Sequence, residues 1–192
     1  MDTTNTNTII IAVIVLLVLG GLLGMLFTRR QRTKRLQERF GSEYDRTVRE
    51  VGDQRRAEDE LEARLDHVKA LEIRPLSAQE TERFTREWQL AQAEFVDEPL
   101  TALQKANQLI TEVMSLKGYP VDDFEQRAAD ISVDYPDLVI DYRELRAIAT
   151  KGDDEAVTTE EMRQAMVHAR ALFEHLVQPE VKLEDTDQKE KM

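Results

Sequence analysis

The stretch IIIAVIVLLVLGGLLGMLFTRRQRTKR, residues 9–35, sets the terms for the whole chain. Its first nineteen residues, Ile9 to Phe27, carry no charge, and fourteen of them are Leu, Ile, Val or Phe. A bilayer's hydrocarbon core is about 30 Å thick and a helix rises about 1.5 Å per residue, so about 20 apolar residues span it. In lipid, backbone polar groups find partners only within the segment, which makes the run a helix. At roughly −0.3 to −0.6 kcal/mol for each large apolar side chain, insertion is favoured by about 4–8 kcal/mol before losses at the glycines. The reading is a transmembrane helix over residues 9–28, behind a short tail, residues 1–8.

A cleaved signal peptide is the rival reading. It expects a basic segment first, an apolar core of about 7–15 residues and a small-x-small cleavage site. Here Asp2 is the one charged side chain before Ile9, and the run ends on Leu26, Phe27, Thr28 and Arg29. The uncleaved anchor fits better.

Arg29, Arg30, Arg32, Lys34 and Arg35 follow the run, and no basic residue precedes it. Lys and Arg next to a membrane helix stay on the cytoplasmic side. The expected topology is single-pass, tail outside and the rest cytoplasmic, which in a bacterium is the inner (plasma) membrane. The same five side chains are expected to meet anionic headgroups, at about 1 kcal/mol each near the surface. Gly20 and Gly24 stand four apart, a spacing that lets two membrane helices approach closely and form a homodimer. Glycine is also simply common in membrane helices.

Of 192 residues, about 150 remain for a body, enough for one modest core. There is no cysteine, which rules out disulfides, thiolate metal sites and a Cys nucleophile. Net charge is −12 despite the basic cluster, so the body is strongly acidic. An acidic body is repelled by nucleic acid. It suits a basic protein partner, and it equally serves plain solubility.

Beyond the anchor no alternating β-branched run occurs, and helical spacing prevails. The fold class is all-α: a transmembrane helix, a helical stalk, then a small multi-helix bundle. The juxtamembrane segment and stalk occupy residues 29–73. Their stripe is Leu36, Phe40, Tyr44, Val48 and Val51, resuming at Leu61, Leu65, Val68 and Leu71. Gly41–Ser42 either ends one helix and caps the next or kinks a longer one. The stretch from Gly52 to Glu60 reads as solvated. The stalk either docks on the body or pairs with another stalk; it lacks the unbroken heptads of a coiled coil.

The bundle is expected over residues 77–178. Ser77 with Glu80 and Thr158 with Glu161 are capping boxes. Phe84, Trp88, Ala91 and Phe95 make one core face; Leu103, Ile110 and Met114 another. Pro99 belongs in a first helical turn and Gly118 at a helix end. A short helix is expected from Asp122 to Ile131. Asp134 then caps, and Pro136 opens, a helix striped by Leu138, Tyr142, Leu145 and Ala149. The last helix carries Met162, Met166, Ala169, Phe173 and Leu176, and ends at Pro179. Residues 179–192 read as a disordered acidic tail.

Motifs for chemistry are missing. His168 and His175 are seven apart, whereas paired ligands on one helix come three or four apart. The acids Asp122, Asp123, Glu125, Asp130, Asp134, Asp137 and Asp141 crowd one region without the Glu-x-x-His signature of a di-metal bundle. No phosphate loop, nucleophile elbow or calcium loop occurs. No catalytic residue, cofactor or metal ligand is assigned, and the chain reads as a non-enzyme. Tyr119 and Tyr135 bracket the short helix that carries Phe124, and the three are expected to offer a partner surface.

Two strings, LQERFGSEYDRTV (Leu36–Val48) and KGYPVDDFEQRAADISVDYPDLV (Lys117–Val139), resemble an uncharacterised bacterial family of small proteins with one N-terminal apolar segment and a helical body. The resemblance covers most of the chain after the anchor. It implies a membrane-attached bacterial protein and brings no activity or site residue.

Three functions remain open from sequence. The first is a membrane-anchored cytoplasmic scaffold that binds a protein partner. The second is a membrane-tethered module sensing a small ligand or envelope stress, and the third an enzyme with a carboxylate site.

Overall fold

The computed structural model describes residues 3–151 and 157–178, and their side chains except at 3–15, 18 and 22. The expected tail 179–192, the stop at Pro179 and most of the loop after Lys151 lie outside the described residues. Among the described residues the chain is all-helical, with eight α-helices and no strand. They are α1 (Thr3–Phe40), α2 (Ser42–Val51), α3 (Gln54–Ala70), α4 (Ala78–Glu94), α5 (Pro99–Lys117), α6 (Phe124–Asp134), α7 (Val139–Ala149) and α8 (Thr159–Val177). The chain divides into two compact units, Met1–Glu62 and Ala63–Met192, with the division inside α3.

In the first unit the stalk is not one rod. It breaks at Gly41 (φ 51°) and again at Gly52 (φ 73°), both in backbone regions that side chains disfavour. Leu36, Phe40 and Tyr44 are buried, as the stripe requires. The stretch expected to be solvated is exposed at seven of its nine residues, with Asp53 Oδ1 accepting from Arg56 N at 2.8 Å and α3 beginning at Gln54; the exceptions are two. Ala57 and Glu58 in its first turns are buried. The reason is polar and invisible to a hydrophobic stripe. Glu58 Oε1 accepts from Thr33 Oγ1 at 2.7 Å, from Tyr44 OH at 2.9 Å and from Gln54 Nε2 at 3.0 Å. One carboxylate thus joins α1, α2 and α3. The stalk's first half folds on itself, an arrangement that neither docking on the body nor pairing between chains had foreseen.

α1 holds the whole run Ile9–Phe27. Among the described residues, no helix is long and apolar enough to cross a membrane; about half of the run has side chains outside the description.

In the second unit the core is built from α4, α5, α6, α7 and α8. Phe84, Leu103, Ile110, Met114 and Leu145 are fully buried, and the Trp88 and Phe173 rings stack with centroids 4.6 Å apart. Both capping boxes form, and Pro99 sits in the first turn of α5. Gly118 (φ 103°) ends α5 in a Schellman motif: Tyr119 N donates to Met114 O at 3.0 Å and Gly118 N to Ser115 O at 3.0 Å. Two boundaries differ from expectation. Asp123 caps α6, which runs on through Asp134, so Asp134 ends that helix and does not cap the next. α7 starts at Val139, one turn after Pro136. The intervening turn holds because Leu138 N donates to Tyr135 O at 3.0 Å.

Candidate interaction surfaces

The basic end of α1 is not uniform. Arg29, Arg30, Lys34 and Arg35 are exposed. Arg32 is engaged: its Nε and Nη2 grip Glu62 at 2.9 and 2.8 Å, and Nη2 also reaches Asp59 at 2.7 Å. Arg35 Nη2 shares Glu62 at 3.1 Å. A bidentate guanidinium–carboxylate pair of this kind fixes geometry as well as charge. Arg32 therefore ties α1 to α3, and Arg29, Arg30 and Lys34 carry most of the basic surface. Gly20 and Gly24 are exposed, and a methyl group added at either meets nothing within 4 Å.

The aromatic joints are not an open patch. Tyr119 is 5% exposed and its hydroxyl donates to Asp134 Oδ2 at 2.6 Å. Phe124 is half-buried, tilted against Tyr142, and the Arg146 guanidinium lies over its ring at 5.3 Å. Tyr135 is half-buried with its ring against that of His175. The rings close the bundle because the short α6 needs large side chains at both ends to bury its inner face. Alanine at Tyr119 reports stability, not partner binding.

Sequence reasoning missed what α6 carries inward. Arg127 is 5% exposed; its Nε donates to Tyr142 OH at 2.8 Å and its Nη1 to Val121 O. Asp130 is fully buried. Its Oδ1 accepts from Gln126 Nε2 at 2.8 Å and lies 3.6 Å from His67 Nε2, while Oδ2 has no hydrogen-bond partner among the described residues. Both residues flank the apolar positions Ala128 and Ile131, so only tertiary packing distinguishes them from surface charges.

Burial pushes the Asp130 carboxyl above its ordinary range, and Asp134 adds to this; Gln126, His67 and Arg64 oppose it. A carboxyl raised in the folded state contributes its full stability below the unfolded value of about 3.9 and loses it as pH rises through the folded value. Ionised Asp130 therefore weakens the bundle at neutral pH. Asp130→Asn is expected to gain about 1 kcal/mol at pH 7, with the gain disappearing below about pH 4. Urea midpoints at the two pH values check this.

The histidines stand apart. His168 Nδ1 lies 3.3 Å from Glu144 and 3.6 Å from Asp141, and His175 Nδ1 is 2.8 Å from Ala171 O. Among the described residues, no group of three or more His, Asp or Glu side chains is arranged to hold a metal ion.

Among the described residues of the second unit, two grooves bear on binding. One, of 390 Å³, lies between α4 and α8, with Trp88, Phe173 and Val177 among its lining and Thr81, Thr85 and Arg170 also bordering it. The other, of 290 Å³, lies between α4 and α5 and includes Leu90, which is 66% exposed. Leu90 falls off the stripe Phe84, Trp88, Ala91 and Phe95, and that phase was the one sequence signal for this surface. Comparison of the chain with protein-family models, with curated proteins and with solved structures gives no match.

Proposed function

We propose that this chain is a single-pass bacterial inner-membrane protein whose cytoplasmic helical bundle recruits a protein partner. The observation that carries the anchor is the surface of α1. Leu16, Leu17, Leu23, Met25, Leu26 and Phe27 are all 50–71% exposed. At about 100° per residue these positions surround the helix. A helix apolar on every side is at home in a membrane or a large core. The basic cluster after Phe27 supports the orientation, with the tail outside and the bundle inside. The family resemblance of Leu36–Val48 and Lys117–Val139 supports a bacterial setting. The strongly acidic composition suits a basic protein partner, which supports a scaffold reading.

Anchoring is tested by alkaline carbonate extraction and by protease added to intact cells. The protein is expected in the membrane pellet, with its C-terminal end protected until cells are lysed. A mature chain beginning after Thr28 would end the anchor reading. The recruiting role is tested by crosslinking in intact cells; recovery of this chain alone would end that part.

The basic residues separate by role. Gln at Arg29, Arg30 and Lys34 together is expected to lower affinity for vesicles containing anionic lipid by about 2–3 kcal/mol, at about 1 kcal/mol per charge. Arg32→Gln is expected to loosen the α1–α3 contact instead, with a smaller effect on vesicle binding. Co-flotation of the full chain with vesicles separates the two. Dimerisation through Gly20 and Gly24 belongs to the same proposal, and Leu at both positions is expected to remove the dimer without unfolding the helix.

A second reading, a membrane-tethered module for a small ligand or envelope-stress signal, is favoured by the groove between α4 and α8. Its volume falls in the usual range for ligand clefts. A thermal-shift screen tests it, because a ligand stabilises the state it binds.

A further inference from the structure

The α4–α5 hairpin carries a second feature that the scaffold reading leaves unassigned. Lys105 Nζ reaches both carboxylate oxygens of Glu94 at 2.6 Å across the hairpin. Counting back from this pair along antiparallel helices of equal rise sets Leu90 level with Leu109 and Glu87 level with Glu112. Each helix thus contributes positions i, i+3 or i+4, and i+7 to one groove, about 10 Å or two turns long. A groove between two packed helices accepts the ridge of a third.

The groove's chemistry selects its occupant. Leu90 stands 66% exposed at its middle and Leu109 lies beside it. Three carboxylates, Glu87, Glu94 and Glu112, border it, against one cation, Lys105, which Glu94 holds. Arg83 approaches Glu87 from the previous turn at 3.7 Å, and Gln108 donates to Glu112 at 3.1 Å. The rim is acidic on balance, and the chain's net charge of −12 adds a field that draws in cations.

We propose that this groove docks one amphipathic helix of a partner protein. That helix presents Leu-sized side chains at i, i+3 and i+7, flanked by Lys or Arg. The proposal rests on the scaffold reading and assigns its binding face. Leu90 anchors the apolar contact, and Glu87 and Glu112 set orientation and salt dependence.

The test uses the full chain in micelles of an uncharged detergent. The probe is a fluorescein-labelled helical peptide of about four turns, with Leu at i, i+3 and i+7 and Lys between; binding to empty micelles is subtracted. Saturable binding is expected, weakened about tenfold by Leu90→Arg and by the pair Glu87→Gln with Glu112→Gln, as for other anchor residues. Leu90 is exposed, so the variant keeps its fold, and circular dichroism verifies that. No saturable binding, equal binding by Leu90→Arg, or equal binding of a peptide carrying Glu for Lys overturns the proposal. So does a self-association that Leu90→Arg abolishes while peptide binding is unaffected, because the groove then belongs to a second copy. Failure here with a partner still recovered by crosslinking in intact cells removes the groove and leaves the scaffold reading standing. Failure of the crosslinking removes the scaffold reading itself.

Discussion

Trp88→Ala is expected to cost about 3–5 kcal/mol of stability, the range for deleting a large buried aromatic side chain. Trp88 is 4% exposed and stacks on Phe173 with an interplanar angle of 14°. It joins α4 to α8, the helix that closes the bundle. Removing the indole strands the Phe173 ring beside a void that its neighbours fill only in part. Domains of this size hold about 5–15 kcal/mol in total, so the variant sits near the threshold of folding. Trp88 is the chain's one tryptophan, so its loss removes the fluorescence probe. Urea unfolding followed by far-ultraviolet circular dichroism is the appropriate measurement. A midpoint close to that of the wild type would mean that the α4–α8 contact contributes little. Leu90→Arg, two positions along the same helix, is the matched control, because Leu90 faces outward and its replacement is expected to change stability little.

Gly118→Ala is expected to cost about 2–4 kcal/mol through a different cause. Gly118 has φ 103°, which an L-residue adopts only with strain. A Cβ there would stand 2.7 Å from the backbone oxygen of Glu72. That obstacle is main chain and cannot rotate away. That oxygen belongs to a strap, residues 71–77 between α3 and α4, which is fixed in turn because Arg74 N donates to Lys117 O at 2.9 Å. Thermal unfolding of the variant checks the result, and an unchanged midpoint would show that the strap moves aside freely. Alanine elsewhere on α5 at an exposed site is expected to be neutral, which isolates the backbone origin of the effect.

Much of the architecture was legible because it depends on local rules. Ser77 with Glu80 and Thr158 with Glu161 satisfy orphan backbone groups within one turn, so spacing alone revealed both helix starts. Phe84, Trp88 and Ala91 recur at helical spacing and are buried for that reason. Gly118 announced a helix end because few other residues tolerate its conformation.

What tertiary structure alone decided is polar. Glu58 looked like one acid in a solvated stretch. It became the joint of the first unit because Thr33, Tyr44 and Gln54, from other helices or the preceding turn, converge on one of its oxygens. Arg32 looked like one of five membrane-facing cations, yet two carboxylates of α3 claim it. Arg127 and Asp130 lie in the interior, and no spacing along the chain announces it. Hydrophobic burial follows a period along the chain, so it can be read locally. Hydrogen bonds between residues fourteen to thirty positions apart have no such period. Residue type and spacing determined that this chain is helical, where it turns and which faces are greasy; only the folded arrangement decided which charges stay in water and which hold the helices together.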